Sequence, residues 1–150
     1  MPFRFLSTML IMLALTSGSQ AADTLQFSNA WIRATAPNAQ VAGAFLRIEN
    51  TGAKPGRLLS ASTDIAERVE IHEMKMSGDV MQMREITDGL AVPAGQTLAL
   101  KPGSYHLMLI APKQPLLEGQ KINIELMFET AGRKSVVFEV HRQAPGMNSP

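Results

Sequence analysis

Two histidines in this chain sit in the same three-residue pattern, His-x-Met: His72-Glu73-Met74 and His106-Leu107-Met108. In a strand, residues i and i+2 share a face about 6.5–7 Å apart, so an imidazole and a thioether from one short segment can converge on one ion. Two more methionines, Met81 and Met83, follow the turn signal Ser77-Gly78-Asp79. A hairpin at that turn lays them beside the segment His72 to Met76. Thioether sulfur is a soft, neutral donor that favours Cu(I), whereas zinc prefers thiolate, imidazole or carboxylate. The set is therefore two histidines and two methionines: His72, one of Met81 and Met83, His106 and Met108. Four such ligands and no carboxylate hold copper without an open position, which suits carrying the ion better than reacting with it.

Other readings of the same residues are blander. Methionine is a common gap-filler in cores, and Met127, on the opposite side of its segment from Ile122, Ile124 and Leu126, reads as packing. Met76 falls next to the turn and is expected to be exposed. His141 reads as a surface histidine. A metal-free alternative makes the chain a secreted β-sandwich interaction module whose methionines form an apolar contact surface. An enzyme is not expected. No Ser-His-Asp set is suggested, and Glu70 and Glu73 point to opposite faces of one strand. Without cysteine, the chain cannot build a blue-copper centre.

The elements that must position these donors are short strands broken by turn residues. Ala42 to Asn50 carries Ala44, Leu46 and Ile48 on one face and ends at the turn signal Asn50-Thr51-Gly52. Arg57 to Thr63 is a weaker strand. Arg68 to Met76 places Val69 and Ile71 one way and Arg68, Glu70, His72, Met74 and Met76 the other. Further strands are expected over Val80 to Ile86, Leu90 to Val92, Gln96 to Leu100, Tyr105 to Ile110, Lys121 to Phe128 and Val136 to His141. Tyr105, Leu107 and Leu109 already supply an apolar side to their strand, so His106 and Met108 need not belong to the core. One helical turn is expected near Thr63 to Glu67, capped by Thr63 or Asp64. This pattern points to an all-β, antiparallel β-sandwich.

Composition sets the outer bounds. The chain has 150 residues, 45% hydrophobic and 18% charged, with net charge +1, ten methionines and no cysteine. That charge excludes nucleic-acid binding driven by bulk electrostatics, and the apolar content excludes a disordered tail. Residues 1–21 read as a cleaved secretory signal peptide. Arg4 precedes an apolar run from Leu6 to Leu15, too short for a bilayer span, and small residues surround Ala21. With no cysteine at the cleavage point, no lipid anchor is expected there, and no stable membrane anchor. Residues 22–142 then form one domain, and 143–150 a flexible tail. In an oxidising compartment methionine has an advantage over cysteine, because it forms no disulfide.

At these residues the sequence resembles the periplasmic copper chaperones of the PCu(A)C type. Their signature is a histidine, ten intervening residues, a methionine, a longer gap, and then His-x-Met. Here it falls on His72, Met83, His106 and Met108, with 22 residues in the second gap, one more than the family's usual spacing. Trp31-Ile32-Arg33, Ala42-Gly43-Ala44-Phe45, Met81-Gln82-Met83-Arg84, Val92-Pro93-Ala94-Gly95 and Leu100 to Leu109 are similar as well. The resemblance implies a cupredoxin-like (immunoglobulin-like) sandwich that binds one Cu(I), with Met83 rather than Met81 as ligand; beside that site Met74 and Met81 are bystanders or accessory donors for transfer. It implies a monomer in the periplasm that delivers copper to an extracytoplasmic acceptor, such as the copper centre of cytochrome c oxidase or a thiol-bearing assembly factor. Family tails rich in histidine and methionine bind Cu(II); here only His141 and Met147 stand in for such a weak second site.

Overall fold

The computed structural model describes residues 23–146. The expected signal peptide lies outside the described residues, as do Met147 and the rest of the tail beyond Gly146. Ten strands follow one another: β1 Leu25–Arg33, β2 Val41–Asn50, β3 Gly56–Ser62, β4 Ala66–Ser77, β5 Val80–Glu85, β6 Leu90–Val92, β7 Thr97–Leu100, β8 Tyr105–Pro112, β9 Lys121–Phe128 and β10 Gly132–His141. Among the described residues there is no helix.

Seven of these strands form a closed circuit, β4-β8-β2-β1-β10-β9-β3, which returns to β4 through the pairing of Ala61 with Val69. The strands thus make a barrel rather than two separate sheets. The expected antiparallel order also has one exception: β1 and β10 run parallel, with Trp31 opposite Glu139 and Ile32 opposite Val140. Closure removes most of the unpaired edges that an open sheet would present.

Alternation fills the interior. Ala44, Leu46 and Ile48 of β2, Leu107 and Leu109 of β8, Ile122, Ile124 and Leu126 of β9, and Val136, Phe138 and Val140 of β10 are all buried. Burial of this kind, about 25 cal/mol per Å² of apolar surface, must hold the domain without disulfides. Asn50 is the buried polar exception in the interior. Its Nδ2 donates to the carbonyls of Lys54 and Val92 at 2.8 and 3.0 Å, and its Oδ1 accepts from the Gly52 amide at 3.0 Å.

Two expectations are corrected. Strand β1 was not anticipated, because Trp31 and Ile32 are both buried and break the alternation that marks a half-exposed strand. The helical turn at Thr63 to Glu67 is absent: Asp64 and Ile65 form a turn, and β4 starts at Ala66. Neighbouring strands claim the polar groups that a helix would need. Thr63 Oγ1 donates to the Asn123 carbonyl at 2.8 Å, and the Ile65 carbonyl accepts from the Lys113 amide at 2.9 Å.

Strand β4 is what positions the candidate site. Its first half closes the barrel between β3 and β8, while its second half runs on and pairs with β5. The β4–β5 hairpin turns tightly at Gly78-Asp79, with Ser77 paired to Val80. Gly78 takes a positive φ of 62°, which the tight turn requires and glycine supplies without steric cost.

Candidate metal centre

Residues directly opposite each other in an antiparallel pair point to the same face of the sheet. Here His72 faces His106 across β4 and β8, and Glu70 faces Met108. Across β4 and β5, Met74 faces Met83, Met76 faces Met81, and His72 faces Glu85. Gly43 of β2 lies opposite Met108. The interior is occupied by Ile71, Leu107 and Leu109, so this whole set lies on the outer face of the barrel. All six predicted site residues, His72, Met74, Met81, Met83, His106 and Met108, are thereby brought to one patch. Met83 sits two residue pairs along the hairpin from His72, and Met81 sits four pairs away, toward the turn.

The patch is graded from buried to exposed. His106 is 3% exposed, whereas Met83 is 48% and Met81 49% exposed. His72, Met74 and Met108 are half-buried between these limits. The expectation that His106 stands outside the core needs correcting in one respect: it is on the outer face, yet it is sealed. Aromatic rings cover it. The His72 ring lies 5.6 Å away, centroid to centroid, and the Phe45 ring 6.2 Å, with Trp31 stacked on Phe45 at 4.7 Å. Gly43 leaves room for this cover, since a Cβ there would come within 3.1 Å of the Phe45 ring.

Burial pushes the His106 imidazole below its ordinary pKa; a hydrogen bond to the Ser104 carbonyl opposes that shift and the neighbouring His72 adds to it. The ring is therefore neutral near pH 7, the form in which a histidine nitrogen can bind a metal. Its Nδ1 lies 3.2 Å from the Ser104 carbonyl. His72 is held differently: its Nε2 lies 2.8 Å from Glu70 Oε2, and Arg68 Nε donates to Glu70 Oε1 at 2.7 Å. His72 Nδ1 is buried without a hydrogen-bond partner. Leaving such a group unsatisfied costs about 1–3 kcal/mol, so its presence in a polar cluster calls for a reason.

Glu70 is the residue that sequence reasoning missed. It was weighed only as half of a carboxylate pair with Glu73, which indeed faces the other way and takes Arg84 Nη2 at 2.8 Å. The overlooked signal was its place two residues before His72 on the same strand face. The remaining sequence candidates fall elsewhere. Met76 is 54% exposed at the hairpin tip. His141, at the end of β10, has its Nε2 3.8 Å from Glu139 Oε1. Met127 faces Ser60 across β3 and β9.

Among the described residues, no group of three or more His, Cys, Asp or Glu side chains is placed to hold a metal. A donor set for a metal on this face has to include thioethers. The site is also not a deep cavity. A groove of about 570 Å³ lies farther along the outer face, between Trp31, Arg33, Arg47, Lys101 and the stretch Arg142 to Pro145, and it contains none of the six predicted donors.

Fold and donor set together define a small β-barrel with a His/Met patch on its outer face. The family described as "Putative lipoprotein LpqE-like" matches residues 25–140. A relative from Leifsonia xyli subsp. xyli, "Putative lipoprotein Lxx21020", is 35% identical over 127 residues, covering 85% of this chain and 75% of the relative. RP573 of Rickettsia prowazekii is 28% identical over 101 residues, 67% of this chain and 56% of its own length. Among solved structures, the copper-bound PCuAC domain from PmoF2 superposes with a TM-score of 0.68 at 20% identity, covering 82% of this chain and 97% of that domain. The Cu(I) form of DR1885 from Deinococcus radiodurans gives 0.62 at 27% identity, covering 87% and 86%. The chain belongs to the LpqE-like family, the PCu(A)C type that its sequence resembles.

Proposed function

We propose that the protein is an exported copper carrier that binds one Cu(I) through His72, Met83, His106 and Met108 and passes it to an extracytoplasmic acceptor. The observation that carries this reading is the convergence of two histidines and a row of methionines on one outer face, with His106 sealed and Met83 half exposed. Imidazole and thioether are neutral, so the empty site buries no negative charge, and a monovalent soft ion adds only a single positive one. The inner histidine gives a firm donor, and the exposed thioethers of Met81 and Met83 are where an incoming ligand can displace a bond. Met74 and Met81 act as accessory donors during that exchange. The copper-bound PCuAC domain and the Cu(I) form of DR1885 are relatives in fold whose names carry copper, the second as Cu(I). The barrel is read as a closed form of the cupredoxin-like sandwich that the resemblance implies. Family and donor chemistry favour carriage over catalysis.

The test is an anaerobic Cu(I) titration of the purified protein against a competing chromophoric chelator, beside His106→Ala and Met83→Leu. One-to-one binding that weakens in both variants supports the carrier. Failure of the wild type to compete with the chelator overturns it, and the exposed methionines then become a protein-contact surface.

A further inference from the structure

The two imidazoles are gripped by opposite nitrogens. His72 is held through Nε2, 2.8 Å from a carboxylate oxygen of Glu70, and His106 through Nδ1, 3.2 Å from the Ser104 carbonyl. A carbonyl and an ionised carboxylate can only accept, so each of these nitrogens is the donor. A neutral imidazole carries one N–H, and its lone pair is left on the other nitrogen. That is Nδ1 in His72 and Nε2 in His106. Arg68 grips Glu70 Oε1 at 2.7 Å, so the carboxylate is fixed from both sides before it meets the ring.

The orphaned atom gives this arrangement its meaning. His72 Nδ1 is buried with no partner. An ion pair with Arg68 alone would not require that. We propose that Glu70 is a positioning residue that turns His72 to present Nδ1, not Nε2, to Cu(I), while the Ser104 carbonyl turns His106 to present Nε2. This inference rests on the copper reading above. It makes the two histidines chemically unequal: His72 is backed by a charged acceptor, which strengthens it as an electron donor toward a metal, and His106 by a neutral one.

The experiment uses the purified protein with ¹⁵N-labelled histidine, followed by two-bond ¹H–¹⁵N correlation before and after anaerobic addition of Cu(I). Wild type, Glu70→Leu and Glu70→Gln are compared, with chelator competition run in parallel. In the metal-free wild type, His72 is expected as the Nε2–H tautomer and His106 as the Nδ1–H tautomer. Cu(I) is expected to move the resonances of His72 Nδ1 and His106 Nε2. Glu70→Leu weakens Cu(I) binding by about 10–100-fold, the usual effect of losing a partner that orients a ligand. Glu70→Gln, whose amide oxygen still accepts from Nε2–H, recovers most of that loss. A Cu(I)-induced shift at His72 Nε2, or unchanged binding in Glu70→Leu, overturns this inference alone. Absence of any shift on either ring overturns the copper reading and this inference with it.

Discussion

Phe45 is the lid on His106, and replacing it with leucine separates cover from ligation. Phe45 is 6% exposed, stacked on Trp31 at 4.7 Å and close to the His106 ring at 6.2 Å. Leucine keeps most of the apolar contact but loses the ring–ring pair, worth about 0.5–1.5 kcal/mol. The unfilled space adds about 0.5–1 kcal/mol, so Phe45→Leu should be less stable by about 1–2.5 kcal/mol in urea unfolding at neutral pH. The proton balance moves as well. Burial lowers the folded-state pKa of His106 from its ordinary 6.5, so the unfolded chain takes up this proton first as pH falls. Stability therefore declines as pH drops below 6.5 and stops declining once the folded ring is also protonated. Admitting water in Phe45→Leu raises the folded-state pKa toward the ordinary value, which shrinks this loss on acidification. On the proposed copper reading a proton competes with Cu(I) for the same nitrogen, so the variant should also release Cu(I) at a higher pH than the wild type. The assay is an NMR titration of His106 in the metal-free protein, paired with Cu(I) retention against pH. An unchanged His106 titration in a folded Phe45→Leu protein would refute the argument that this ring keeps water from the imidazole.

Three other perturbations follow from the geometry. Replacing Met74 and Met81 together by leucine should slow copper transfer to an acceptor chelator while leaving equilibrium affinity nearly unchanged; unaltered transfer kinetics in stopped-flow would remove their exchange role. Gly89 and Gly95 both have positive φ, 77° and 70°, but only at Gly89 would a Cβ meet a backbone atom, the Leu58 carbonyl oxygen at 2.5 Å. Gly95→Ala should cost about 1 kcal/mol for the left-handed backbone alone, and Gly89→Ala clearly more; equal midpoints in chemical unfolding would contradict this. Asn50→Ala leaves two carbonyls and an amide without their partner and should cost about 2–4 kcal/mol, read by urea unfolding at pH 7.

Strand β4 was legible because it has one buried face and one exposed face, whereas β5, exposed along its whole length, was legible from the turn signal before it. In Ala66–Ser77, Val69 and Ile71 turn toward the interior while the histidine and methionines turn out, and a period of two reveals that division. The Gly78 turn was legible for the same kind of reason, since few residue types accept its backbone angles. Strand β1 was not legible, because it is covered on both sides at Trp31 and Ile32 and shows no alternation. The turn at Asp64-Ile65 was misread as helical because a Thr/Asp cap is a local signal, whereas Asn123 and Lys113, which pair with the Thr63 hydroxyl and the Ile65 carbonyl, are distant in the chain.

The sequence by itself determined the candidate donor types, their spacing and their shared strand face, since a soft, cysteine-free set of side chains and a two-residue period are properties of residue identity and order. Register was a matter for the tertiary structure. Pairing β4 with β8 and β5 puts His72 opposite His106 and Met74 opposite Met83, and a shift of one residue would have turned the partner strand's donors to the other face. The same packing seals His106 under Phe45 and Trp31 and leaves Met83 half exposed. It also brings Glu70 onto His72 and leaves His72 Nδ1 without a partner. Burial and hydrogen-bond partnership depend on residues brought together from distant parts of the chain, and no local pattern encodes them.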